Sequence, residues 1–200
     1  MKTVFSRLFR VVDYLRVTHE SKYKYDFVAP LVLAIVMVAL YVILPAKPKL
    51  VGADGLIVKI NGLLQILPGF YIAALAAIST FNKSNMDEPM TGTPPRLVTH
   101  YRNKPEQLSR RRFLCLMFGY LSALSIIICG LSSVVDVGVN NLKIFILDEN
   151  VFAYVKLVFM FIFSFMISNL FVTTFLGLYY LSDRIHREKR EKTNYNNNAE

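Results

Sequence analysis

The sequence predicts an all-α membrane protein: a four-transmembrane-helix bundle with an N-terminal interfacial amphipathic helix and both termini cytoplasmic. Three observations predict it. Apolar stretches at residues 27–44, 56–80, 113–135 and 153–181 approach or exceed the roughly 20 residues that cross a bilayer. Charged residues make up only 18% of the 200, below the roughly 25% usual in soluble domains. Lys and Arg also gather in alternate connections, as cytoplasmic loops do.

The leader, residues 1–26, is expected to form a cytoplasmic amphipathic helix. Val4, Phe5, Leu8, Phe9, Val11, Val12 and Leu15 share one face, and Lys2, Ser6, Arg7, Arg10 and Asp13 share the other. Lys2, Phe5, Arg7, Phe9 and Arg10 are the candidate membrane-interface residues, since an apolar stripe beside basic groups suits the boundary of a bilayer. Packing of this helix on a partner protein is the other reading of the same pattern.

The first span, "FVAPLVLAIVMVALYVIL", carries no charge over 18 residues. It follows a leader too long for a signal peptide and lacks a small-residue cleavage site, so it is read as a retained helix. The second span, 56–80, is weaker, with Lys59, Asn61, Gln65, Pro68 and Gly69. Asn61 and Gln65 stand four apart and face one way, and Pro68 predicts a kink. They line a pore or hinge, or they make hydrogen bonds between helices, the commoner use of polar residues in membranes. The third span, 113–135, bears small residues including Gly119, and the fourth, 153–181, carries Asn169. Such residues let helices approach closely. Asn61, Gln65, Pro68, Gly119 and Asn169 are the candidate packing or pore residues.

Six Lys/Arg lie in residues 1–26, seven in 79–112 and five after Leu181, against three in the segments 45–55 and 136–152. The net charge of +9 therefore lines one membrane face. Attraction to anionic lipid accounts for it without nucleic acid. Cys115 and Cys129, both within the third span, lie about 21 Å apart on a helix, too far for a disulfide. No Asp, Glu, Arg or His lies deep in the spans so drawn, which counts against proton relays, ion-coupled carriers and voltage sensors. No metal-ligand spacing, phosphate-binding glycine loop or nucleophile elbow occurs. No catalytic residue, metal or cofactor is expected.

The longest connection, the cytoplasmic loop 81–112, contains "MDEPMTGTPPRL". Three prolines stiffen it between charged anchors, and unstructured connections of this length are often functional. "NKPEQLSRRR" reads as a helix start, with Pro105 in the first turn. Asp87 and Glu88 can pair with Arg110, Arg111 and Arg112 or with a partner. Together with Arg96 and Arg102 they are the candidate partner-docking residues. The tail, 182–200, is polar and expected to be disordered at its end.

The basic amphipathic leader, the four spans and the "DEPMTGTPP…LSRRRFLCLMFGYL" region resemble the KwaA family, the membrane subunits of bacterial Kiwa anti-phage systems. The resemblance covers nearly the whole chain. It implies a homotetramer in the inner membrane, a cytoplasmic DNA-binding partner, KwaB, and a role in sensing phage attachment or injection. Nucleic acid would then be met only through the partner. Two functions follow as expectations: a non-enzymatic scaffold and sensor that docks a cytoplasmic effector, or an oligomeric channel that depolarises the membrane.

Overall fold

The computed structural model describes residues 9–19, 22–46, 48–52, 54–80, 86–89, 95–99, 102–145 and 149–184. These are mostly helical. Among the described residues, four helices are long and apolar enough to cross a membrane, at Lys24–Ile43, Leu56–Thr80, Arg110–Val139 and Asn150–Ser182. The first, third and fourth extend beyond the bounds drawn from hydropathy alone. Helix geometry carries on through polar end residues that an apolar window excludes.

The first long helix opens with a π-helical turn, Lys24–Val28, and continues as α1, Ala29–Ile43. The turn precedes Pro30, whose missing N–H leaves the carbonyl four residues earlier, on Asp26, without its helical partner. Asn169 on the fourth helix donates to that carbonyl at 2.7 Å. A freed backbone group is thus satisfied by a neighbouring helix, as an apolar surrounding requires.

The second helix is divided into α2, Leu56–Leu64, and α3, Leu67–Thr80, with a turn at Gln65 and Ile66. Pro68 cannot donate to Leu64, so the ladder breaks in the turn before it. The expected kink therefore takes the form of a break at Gln65–Ile66. The third helix, α4, Arg110–Phe145, and the fourth, α5, Glu149–Tyr179, are the longest. A π-helical turn, Tyr180–Arg184, follows α5.

α1 packs on α5, α5 on α4, and α4 on α2 and α3. The third helix is the innermost: 44% of its apolar window is buried, against 22%, 17% and 28% for the first, second and fourth. Met117, Leu121, Ile128, Ile167 and Leu170 form the centre of the core. Gly177 is fitted to this packing. A Cβ there would stand 2.9 Å from Met117 Cε and 3.2 Å from Phe118 Cζ.

The remaining faces are apolar and exposed. Leu31, Val32, Leu33, Ile35, Val36 and Met37 present an unbroken apolar surface on α1 apart from buried Ala34. Soluble monomers rarely show patches of that extent.

Two departures from an all-α plan occur, both at the end where the basic residues gather. Residues 9–16 are a 3-10 helix rather than part of a 26-residue α-helix. β1, Val17–Thr18, follows it, and residues 22–26 already belong to the first long helix. The loop contributes β2, Arg96–Thr99, and β3, Arg102–Gln107, giving an antiparallel sheet in the order β1-β2-β3.

Pro105 thus sits in a strand rather than a helix start. β3 is an edge strand, where a residue without an N–H is tolerated. The residue before a proline is also driven towards extended geometry. Helix begins only at Arg110, where Ser109 Oγ accepts the N–H of Arg112 at 3.4 Å, the N-cap arrangement.

Candidate functional site

The sheet is fastened to the helix ends by its apolar face. Val17 pairs with Leu97 across the β1–β2 register, and both are buried with Met86 and Leu108 in the main core. Thr18 and Arg96, the next register pair, are exposed, and Thr18 Oγ1 donates to the Arg96 carbonyl at 3.2 Å. Across β1 and β2 this alternation makes a platform with one face against the helices and one open.

Asp87 locks the loop in place. Arg111 Nε and Nη2 donate to its two carboxylate oxygens at 2.8 and 3.0 Å, a bidentate pair. Hydrogen bonding by Arg111 holds the Asp87 carboxyl below its usual range. The same guanidinium donates through Nη1 to the carbonyls of Ile78 and Ser79, both at 3.1 Å. Those are among the last carbonyls of α3, which lack helical partners. One arginine on α4 therefore caps the second helix and clips the loop.

The other expected docking residues separate into distinct roles. Glu88 accepts the Arg110 N–H through its backbone carbonyl at 3.2 Å, while the Arg110 side chain is buried. Arg96 and Arg112 are exposed. Arg102 opens β3, and its side chain lies outside the described residues. Among the expected interface residues, Lys2, Phe5 and Arg7 lie outside the described residues. Phe9 and Arg10 open the 3-10 helix, again without described side chains.

Beneath the platform lies a cluster that the sequence reading missed. Asp26 is buried to 1% exposure at the start of the first helix. Lys22 Nζ, four residues earlier, stands 2.5 Å from Asp26 Oδ2, and Tyr14 Oη donates to Oδ1 at 3.2 Å. The ammonium also lies 4.5 Å from the Tyr14 ring centroid. Tyr14 stacks on Tyr120 at 5.0 Å, and Tyr120 Oη donates to Asn169 Oδ1 at 2.9 Å. Burial, followed by the Asp26 carboxylate, pushes the Tyr14 phenol above its usual range. Five residues from the leader and the first, third and fourth helices thus form one network. An open cavity of 570 Å³ adjoins it, lined by Tyr14, His19, Lys22, Tyr25, Phe113 and Tyr179 among others.

Hydropathy hid this site for two reasons. The uncharged run of the first span starts at Phe27, one residue past the carboxylate. Tyr14 is not among the apolar-stripe residues of the leader, yet it is buried while Leu15 is exposed. The usable signal was Lys22 and Asp26 at i, i+4 immediately before an apolar run.

The candidate packing or pore residues do not share one surface. Ser132 Oγ donates to Asn61 Oδ1 at 2.5 Å between buried positions of the third and second helices. Asn169 is spent on Asp26 and Tyr120. Gln65 is exposed, and Gly119 lies half-buried on α4. Asn61 and Gln65 remain one helical turn apart, joined by the Gln65 N–H to Asn61 carbonyl bond at 3.0 Å, yet only Asn61 is buried against the third helix. Among the described residues, no three of His, Cys, Asp and Glu gather as a metal-ligand group. Cys115 and Cys129 are free thiols.

Fold and site together define a mostly helical chain with four potential membrane-spanning helices and a small sheet fixed across one end. No known family, curated protein or solved structure matches it.

Proposed function

We propose that this chain is a multi-pass membrane protein with both termini on the cytoplasmic side. In this reading it is a non-enzymatic scaffold whose inner platform docks a soluble effector. The observation that carries the docking reading is the platform itself. The loop, expected to be stiffened by its prolines between charged anchors, is tied down by Val17, Leu97, Met86 and the Asp87–Arg111 clip, leaving Arg96 and Arg112 exposed. A pre-formed basic surface suits an acidic partner because little ordering entropy is lost on binding. The 18 Lys/Arg on the segments assigned inside, against three outside, support the orientation.

The resemblance to the KwaA family adds specificity to the proposal. The chain would be a homotetrameric subunit in a bacterial inner membrane, holding a DNA-binding partner of the KwaB kind. Envelope perturbation by phage would reach the platform through helix packing. The network joining Tyr14, Lys22, Asp26, Tyr120 and Asn169 supplies a connection between helix positions and the leader. The commitment of Asn61 and Asn169 to contacts between helices favours this reading over a conducting pore.

The test is capture of the effector by the full-length chain in mild detergent, compared with Arg96→Glu/Arg112→Glu. Wild type is expected to retain the effector stoichiometrically, and charge reversal to release it. Equal capture by both sinks the platform reading. Ion flux in liposomes that is abolished by Asn61→Leu/Gln65→Leu would establish the channel instead.

A further inference from the structure

The end of the molecule opposite the sheet holds two adjoining cavities that the scaffold reading does not use. Residues 48–52 and 54–55 fold down over this end. Gly52 adopts a positive φ of 97°, and Gly55 N–H donates to the Gly52 carbonyl at 2.7 Å. Leu50 and Val51 then pack with Tyr41, Leu56 and Met160 in a small apolar cluster, and Val51 also touches the main core. Asp136 Oδ1 accepts the Gly52 N–H at 3.1 Å, fixing the turn to α4.

The outer cavity, 480 Å³, contains Lys49, Lys156 and Asp136 above apolar walls. Both lysines are exposed, and among the described residues neither has a carboxylate within ion-pair distance. The inner one, 260 Å³, is a slot between the first, second and fourth helices, walled by Met37, Leu40, Ile57, Ile60, Met160 and Phe163. Leu50 and Phe159 line both cavities.

Tyr41 lines the inner slot and packs with Leu50, which lines both cavities. It is nine-tenths buried, and its hydroxyl has no hydrogen-bond partner among the described residues. Lys156 Nζ stands 5.7 Å from its ring centroid, within cation–π range. A buried hydroxyl without a partner costs free energy unless a ligand supplies one.

We propose that this end binds one anionic glycerophospholipid. Its phosphate lies between Lys49 and Lys156, one acyl chain fills the slot, and the Tyr41 hydroxyl donates to an ester or glycerol oxygen. Two ammonium groups and one carboxylate leave the outer cavity with one net positive charge, complementary to a singly charged lipid. Asp136, with one oxygen on Gly52, accepts from headgroup hydroxyls through the other. Charged headgroup, ester and apolar chain meet Lys, Tyr and aliphatic walls in the order in which the lipid presents them. The inference rests on the membrane reading proposed above, and its test separates the two.

The full-length chain, extracted in mild detergent, is titrated with phosphatidylglycerol or phosphatidylcholine and examined by native mass spectrometry. One phosphatidylglycerol per chain is expected to persist in preference to phosphatidylcholine. Lys49→Gln/Lys156→Gln is expected to weaken its retention roughly thirtyfold, from the attraction of about two lysines near an anionic surface. Lys59→Gln, which removes an exposed lysine outside the cavity, leaves retention unchanged. Equal retention of the two lipids, or an unaffected double variant, overturns the proposal.

A measurement on the unaltered chain guards against misfolded variants. Phosphatidylglycerol with a photoreactive acyl chain is expected to label peptides spanning 37–44 and 156–167. Labelling spread evenly over all four helices overturns the site. Extraction with alkaline carbonate tests the membrane reading separately. A chain that stays in the membrane pellet but shows no lipid preference refutes the lipid site alone, whereas release into the supernatant refutes the membrane reading beneath it.

Discussion

Replacing Asp26 by Asn tests whether the buried network holds the leader to the helices. The carboxylate is 1% exposed and the Lys22 side chain 12% exposed, and their charged atoms lie 2.5 Å apart. Removing one member of a buried pair leaves the other charge uncompensated, at a cost of about 3–5 kcal/mol. Lys22 retains a little solvent access and a long apolar stem with which to reach water, so the lower bound of about 3 kcal/mol applies. At roughly 2–4 °C per kcal/mol for a chain of this size, the midpoint should fall by about 6–12 °C. The assay is thermal unfolding of the full chain in detergent, followed by loss of the monodisperse chromatographic peak. Lys22→Met/Asp26→Leu leaves no charge behind and should recover most of the loss; adding Tyr14→Phe removes the hydroxyl left without an acceptor. A single variant as stable as wild type, or a double variant as damaged as the single, would refute the reasoning.

Gly55→Ala should destabilise the outer turn, because its Cβ would meet the carbonyl oxygens of Leu50 and Gly52 at 2.7 and 2.8 Å. Gly62→Ala, with nothing within 4 Å, should be neutral or favourable in the same melting assay. Asn61→Ala should lower stability by about 0.6 kcal/mol, and no more than about 1.7, the range for hydrogen bonds between membrane helices; a larger loss measured by unfolding would mean that Asn61 does more than bond Ser132. The Asp87 carboxyl is depressed in the folded state, so the clip is complete above the unfolded value of about 3.9 and is lost as pH falls through the lower folded value. Hydrogen exchange in residues 86–89, corrected for intrinsic rates, should stay flat from pH 8 to 5 and rise at more acidic pH; Asp87→Asn should abolish that dependence.

The helices were legible because twenty or more apolar residues in a row admit few alternatives. The ends were not, because helical geometry outlasts hydropathy: Asp26 lies one residue outside the apolar run and Asp136 one residue beyond another, yet both sit on long helices. Pro68 announced a kink, although sequence could not say that of Asn61 and Gln65 only Asn61 would be buried. Pro105 misled, since the same residue suits a helix start and an edge strand. The pairing of β3 with β2 decides between them, and β2 is itself paired with β1, whose residues lie nearly 80 positions away. The stacking of Tyr14 on Tyr120 is likewise a tertiary fact.

The central claim, a platform on the cytoplasmic side of a four-span membrane protein, is tested most directly by cysteine accessibility in intact cells. Cys115 and Cys129 are replaced by Ser, and single cysteines are placed at Arg96 on the sheet and at Asp54 in the opposite turn. A membrane-impermeant maleimide should label the Asp54→Cys chain in intact cells and the Arg96→Cys chain only after permeabilisation. Labelling of Arg96→Cys from outside, with Asp54→Cys protected, would contradict the account.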